Sequence, residues 1–175
     1  MLINLTELYP VEGKTKSYTV TLEMTRFHTA GGCYEVVEKA PVNLTITNQE
    51  NKILTVEGKA FLCLMIPCDR CLEPVRVPLQ LEIDQKLDMN QTEEERAAKL
   101  DEQFYVSGYN LDVDQLVGNE LILNLPMKVL CRDDCKGICN RCGTNLNSGT
   151  CDCDKGSLDS RMSVIQDIFK QLKEV

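Results

Sequence analysis

Eight cysteines stand in four short-spaced pairs, and that spacing constrains the chain more than any other feature. The pairs are Cys68-x2-Cys71, Cys131-x3-Cys135, Cys139-x2-Cys142 and Cys151-x-Cys153. A gap of one to three residues lets a tight turn aim both sulfurs at a single ion, and four thiolates make the closed tetrahedral shell that structural zinc prefers. Eight sulfurs are enough for two such shells. The 175 residues are 43% hydrophobic, so the chain can build a core without crosslinks. The thiols therefore need another role, and in a reducing compartment that role is metal or redox chemistry rather than a disulfide framework.

The cysteines divide into two sites in either of two ways. Cys139, Cys142, Cys151 and Cys153 lie within fifteen residues of one another and can close one site alone. Cys68 and Cys71 would then meet Cys131 and Cys135 across about sixty residues of chain. Alternatively, Cys131, Cys135, Cys139 and Cys142 share one ion, which leaves Cys151 and Cys153 to join Cys68 and Cys71. Chain locality favours the first partition. Gly143, directly after Cys142, suits a bend of positive φ closing that knuckle. Cys63, in an apolar run, is expected to be a small buried hydrophobe, and Cys33, after Gly31-Gly32, a loop thiol.

The surrounding pattern predicts an α+β fold: an antiparallel β meander or partly closed barrel with a central helix, a Cys-rich zinc-ribbon-like module and a C-terminal helix. Residues 17–24, 42–47 and 75–83 alternate in β-prone side chains, the period of half-buried strands. Pro78 puts the last of these at an edge or an irregularity. Residues 48–52 are a polar turn, so 53–65 is the return strand of a hairpin. Pro67-Cys68-Asp69-Arg70-Cys71-Leu72 then forms the tip of the next hairpin, a zinc knuckle by shape. Residues 93–101, behind Thr92 and Glu95, predict a short exposed acidic helix or a solvated insert. Asp112 or Asp114 caps a helix carrying Val113, Leu116, Val117, Leu121 and Asn124, which Pro126 ends.

Residues 127–156 have few large apolar side chains and cannot form a core of their own. In the tail, Leu158, Met162, Ile165, Phe169 and Leu172 make one helical stripe suited to docking on the body. Three units follow: 1–126, a β-rich core with the hairpin knuckle and central helix; 127–156, the metal module; and 157–175, the docking helix. Together they are expected to fold as one cooperative whole.

Catalysis is not expected. His28 is the sole imidazole, so no acid–base set surrounds a nucleophile. Neither a P-loop nor a GxGxxG is present, and pairs in multiples of four point to closed shells with no place for a reacting water. No small-molecule substrate is evident. The opening residues carry no basic, apolar leader, and the longest apolar run, 60–66, is too short for a membrane span. A cytoplasmic location is expected.

The net charge of -8, with a pI near 4.8, opposes binding to bare phosphate backbone. Filling two four-thiolate sites with zinc would deepen it to about -12. Arg70, Arg76, Lys128, Arg132, Lys136 and Arg141 accompany the cysteines, but Asp69, Glu73, Asp133, Asp134, Asp152 and Asp154 are interleaved with them. No basic patch results.

Two stretches resemble the YceD family of large ribosomal RNA subunit accumulation proteins. One is Cys68-Asp69-Arg70-Cys71-Leu72-Glu73-Pro74. The other runs from Leu130-Cys131-Arg132-Asp133-Asp134-Cys135-Lys136-Gly137-Ile138-Cys139-Asn140-Arg141-Cys142-Gly143 through Asn145-Leu146-Asn147 to Cys151-Asp152-Cys153. Asp159-Ser160-Arg161-Met162 is similar to the family's closing helix, so the resemblance spans the chain. It implies a bacterial factor in ribosome biogenesis that supports accumulation of the large-subunit (23S) ribosomal RNA. Its partner would be ribosomal RNA, a large-subunit ribosomal protein or an assembly intermediate. Some members look to lack the Cys139–Cys153 group, which fits the first partition, and the family supplies no catalytic residues. The competing expectation is a thiol redox sensor or redox-controlled chaperone that releases zinc on oxidation.

Overall fold

A computed structural model describes residues 1–49, 52–90 and 104–153. The acidic segment 93–101 and the tail helix expected over 158–175 lie outside the described residues.

One long hairpin organises the fold. Strands β6 (Ile53–Pro67) and β7 (Pro74–Asp88) pair over their whole length, from Ile53 opposite Asp88 to Pro67 opposite Pro74. On β7, Leu79, Leu81, Ile83 and Leu87 are buried and alternate with exposed polar residues, as a strand with one wet face requires. The other edge of β6 is shared end to end. Its first half, Leu54 to Lys59, takes β5 (Val42–Asn48), and its second half, Leu62 to Met65, takes β4 (Gly32–Lys39). Strand β2 (Thr15–Val20) extends the sheet beyond β5, and β3 (Arg26–Thr29) extends it beyond β4.

The strand order corrects two expectations. Strands β5, β6 and β7 are a meander, but the β3–β4 hairpin is inserted between the paired strands β2 and β5. The sheet is also open, not a partly closed barrel. Among the described residues β7 pairs only with β6, β2 only with β5 and β3 only with β4. Two strands dividing one edge of β6 split the sheet into two wings, so no outer strand is brought to β7 to close a ring. Strand β2 also stops at Val20 rather than reaching residue 24. In register, Thr21 would face Pro41, which has no N–H to give. The chain turns away, and the N–H groups of Glu23 and Met24 donate to the Asp114 carboxylate at 2.9 and 3.0 Å.

A second, small sheet holds β1 (Leu2–Asn4), β9 (Asn110–Asp112) and β8 (Val106–Ser107) in that order. Strand β9 runs directly into helix α1 (Val113–Asn124). Asp112 is the N-cap and accepts the N–H groups of Asp114 and Gln115, leaving Asp114 free to hold Glu23 and Met24. Val113, Leu116, Val117 and Leu121 are buried, whereas Asn124 is exposed. Buried Glu120 accepts a 2.7 Å hydrogen bond from Gln85 of β7. Leu125 is extended, as the residue before Pro126 must be. The chain is thereby sent toward the tip of the β6–β7 hairpin.

Gly58 is the one glycine on which the sheet depends. A Cβ there would lie 2.4 Å from the Asn43 carbonyl oxygen and 2.7 Å from Leu44 Cδ2. Gly58→Ala should lower stability by about 1–3 kcal/mol through overpacking. Urea unfolding measures this, and an unchanged midpoint would show that β5 can give way.

Candidate metal centre

The hairpin tip is a knuckle built by backbone. Cys68 N–H donates to the Glu73 carbonyl at 2.8 Å, and Leu72 N–H donates to the Cys68 carbonyl at 2.9 Å. The turn closes with Leu72 at φ +63°, a left-handed conformation that disfavours a side chain by about 1–2 kcal/mol. The second knuckle repeats it. Cys139 N–H donates to Thr144 at 2.8 Å, Gly143 N–H donates to Cys139 at 2.9 Å, and Gly143 sits at φ +73°, the positive value expected for it.

Asp69 docks the first knuckle onto the chain leaving α1. Its N–H donates to the Val129 carbonyl at 2.9 Å, and its carboxylate accepts the Val129 N–H at 2.6 Å. Arg70 Nη1 donates to the Cys135 carbonyl at 2.8 Å, and Ile138 N–H donates to the Arg70 carbonyl at 3.0 Å. Gly137, at φ +79°, lets this crossing happen, since a Cβ there would lie 3.0 Å from the Arg70 carbonyl.

These contacts gather the sulfurs into two groups. Cys68, Cys71, Cys131 and Cys135 form one, and Cys139, Cys142, Cys151 and Cys153 the other. Within each group the sulfurs all lie within 4.8 Å of one another. This is the chain-local partition; the rival grouping is not formed. Cys68 and Cys135 sulfurs stand 3.8 Å apart, and those of Cys71 and Cys131 3.5 Å. A tetrahedral ion with metal–sulfur bonds of ~2.3 Å spaces its ligands about 3.8 Å apart, whereas a disulfide needs ~2.05 Å. Each group can therefore hold a metal ion. The inner group is the better covered, with Cys68, Cys71 and Cys135 buried and Cys131 exposed; in the outer one Cys139 is buried, Cys142 is exposed and Cys151 and Cys153 are half-buried. Neither group includes Cys33 or Cys63. Cys63 is buried in β6 as expected, but Cys33 lies in β4 rather than a loop, its sulfur 3.8 Å from His28 Nε2 across the β3–β4 pair.

Without a cation each group is electrostatically divided. Burial pushes the Cys68 thiol up, but the N–H groups of Arg70 and Cys71 help draw it down to about 6. The Glu73 N–H favours the Cys71 thiolate, yet burial and the neighbouring sulfurs drive that thiol up to about 12. In the outer group, the N–H groups of Cys142 and Arg141 bring Cys139 to about 6, while the Cys142 sulfur and burial push Cys153 to about 12. Cys131, mainly through burial, and Cys151, mainly through the Cys139 sulfur, are also raised. Four thiolates in contact repel, and a divalent cation relieves that repulsion.

Sequence reasoning missed the residues that support the sulfurs. Asp69 and Glu73 count as solvated acids when charges are tallied. Asp69 instead grips Val129, and Glu73 accepts the Asn145 amide at 2.8 Å. Two of the basic residues pair with acids, Arg76 with Glu38 at 2.8 Å and Arg132 with Asp134 at 3.4 Å, so no basic patch forms around them. Asp154 lies outside the described residues.

Comparison with known proteins bears on the same stretch. The family described as large ribosomal RNA subunit accumulation protein YceD matches residues 56–172, about two-thirds of the chain and all eight paired cysteines. The chain belongs to the YceD family. The match begins at residue 56, so residues 1–55 fall outside it, although the resemblance read from the sequence spans the chain. An uncharacterized protein of Mycobacterium tuberculosis is 32% identical over 81 residues, 46% of this chain and 39% of its own length. One from Mycobacterium leprae is 27% identical over 108 residues, 61% of this chain and 50% of its own. An Arabidopsis thaliana protein named large ribosomal RNA subunit accumulation protein YCED homolog 1, chloroplastic, is 27% identical over 64 residues, 37% of this chain and 20% of its own. The chain thus spans half or less of each of these relatives. No solved structure matches the fold.

At neutral pH the raised thiols, two in each group, carry protons that a cation must displace. Titration of the metal-free chain with Zn2+ should release about two or more protons per site, and apparent affinity should fall as the pH is lowered. Calorimetry in two buffers of different ionisation enthalpy measures the release; identical heats in both would contradict it.

Proposed function

We propose that this chain is a zinc-stabilised, non-enzymatic factor in ribosome biogenesis that supports accumulation of the large-subunit (23S) ribosomal RNA. The observation that carries the reading is the family match over residues 56–172, which encloses both four-sulfur groups. In this reading each group binds one structural zinc through Cys68, Cys71, Cys131 and Cys135, or through Cys139, Cys142, Cys151 and Cys153. Four thiolates complete the shell of each ion and leave no position for a reacting water. The metal's work is to hold residues 127–153, which have little apolar side-chain mass, in a defined shape against the hairpin tip.

Charge selects the partner. A chain of net charge -8 that grows more negative with thiolate-bound zinc is repelled by naked RNA and attracted to basic protein. The partner is therefore a basic large-subunit ribosomal protein, or an assembly intermediate that displays one. The setting is the cytoplasm, where thiols stay reduced. Among the described residues no helix is long and apolar enough to cross a membrane. His28 lies in the β3–β4 hairpin beside Cys33, outside both sulfur groups, which supports a non-catalytic role.

One observation favours a second reading. The outer group is open to solvent at Cys142, where an oxidant could reach it, as in a thiol redox sensor or redox-controlled chaperone. Mild peroxide separates the two: unchanged zinc content after exposure removes the sensor reading.

Deletion of the gene should lower large-subunit relative to small-subunit ribosomal RNA, and the tagged chain should sediment with immature large-subunit particles. Elemental analysis of the purified chain should give about two zinc per molecule. Normal ribosomal RNA ratios together with absence from those particles would overturn the assembly role. Metal-free protein that is equally folded in a strong chelator would overturn the zinc role.

A further inference from the structure

The two sulfur groups are joined by a loop that belongs to one and serves the other. Residues 143–149 lie between Cys142 and Cys151 of the outer group, yet their side chains reach the inner one. Asn147 Nδ2 donates to the Cys135 sulfur at 3.3 Å, and its Oδ1 accepts the Lys136 N–H at 2.8 Å. The Asn147 N–H is itself held by Asn145 Oδ1 at 2.9 Å, while the Asn145 amide donates to Glu73 in the hairpin tip. Leu146 N–H donates to the Gly137 carbonyl at 2.9 Å. The loop contains no helix or strand. A single β-bridge between Ile138 and Asn145 is its only regular pairing.

We infer that Asn147 is a positioning residue through which the outer metal site tightens the inner one. This rests on the reading that both groups bind a divalent metal. A metal on the outer group fixes both ends of the loop through Cys142 and Cys151, so the entropy of ordering it is already lost when Asn147 meets Cys135. The amide then stabilises the Cys135 thiolate, orients its sulfur toward the ion and keeps water off it. Partners of this kind contribute roughly 10–100-fold in metal affinity. The coupling runs both ways by thermodynamic necessity: an inner metal that fixes Cys135 also fixes the surface on which the loop docks. Because the outer group is the more exposed, a chelator takes its metal first, and the inner metal is loosened as a result.

Cobalt(II) replaces zinc in the test, since its thiolate charge-transfer absorbance reports each bound ion. Full-length wild type, Asn147→Leu, Cys151→Ser/Cys153→Ser and the combination of all three are loaded and challenged with graded chelator. Wild type should bind two cobalt ions. Asn147→Leu should still bind two but hold the inner one roughly 10–100-fold more weakly. The double-serine variant should retain only the inner ion, weakened by a similar factor although Asn147 is intact. Adding Asn147→Leu to it should change little more. Inner-site retention equal to wild type in either Asn147→Leu or the double-serine variant overturns the inference while the metal reading stands. So does a fully multiplicative effect in the combination. A wild-type chain that takes up no cobalt overturns the metal reading, and this inference with it.

Discussion

The shape of this molecule turns on one long-range closure. The tip of the β6–β7 hairpin meets the segment that leaves α1 about sixty residues later, and four sulfurs converge where they touch. Closing a loop of that length is entropically unfavourable, but only weakly dependent on its length, so a few well-placed contacts suffice. Asp69 and Val129 provide two backbone-anchored hydrogen bonds, and Arg70 two more with Cys135 and Ile138. Residues 131–153 are positioned by that closure, since among the described residues Val129 is the last in the main hydrophobic core. Past it, the buried cluster consists of Cys68, Cys71 and Cys135, with Val75, Leu130 and Ile138 packed around them. Sulfur takes over where aliphatic packing stops.

The features legible from sequence were those whose physics is local. Cysteine spacing is set by the reach of one turn, so the pairs and their chain-local grouping could be read directly. Alternation placed β5 and β7, because each has one face on a core of Leu, Ile and Val, and the polar turn at 48–52 placed β6 as the return strand between them, buried at consecutive positions. The helix was signalled by its cap and by the proline after it. The β3–β4 hairpin was not legible. Every residue of β4 is exposed or half-buried, so its alternation carries little hydrophobic contrast. Strands β1, β8 and β9, two or three residues each, are too short for any period to show. The roles of Asp69, Glu73, Asn145 and Asn147 depend on partners distant in the chain, and no single-sequence pattern encodes such pairings. The same is true of Asp114, a plausible cap by position that instead holds Glu23 and Met24.

The charge pattern has a related lesson. Six basic against six acidic side chains around the cysteines look like cancellation. Several of these charges are instead assigned: Asp69 and Glu73 to hydrogen bonds within the knuckle region, Arg70 to a carbonyl, Arg76 and Arg132 to carboxylates. These side chains stay exposed, but each is held in a fixed contact.

Strand β7 has one further consequence. Fifteen residues long, and bordered by a strand on one side only among those described, it is the kind of rim that invites a stray chain to zip alongside. Pro74 at its start and Pro78 within it remove two links from the row of donors, and Glu82, Asp84 and Lys86 stud the wet face with charge. So blunted a border leaves few open donors in register for an incoming strand, and edge-to-edge association of one copy with another is disfavoured.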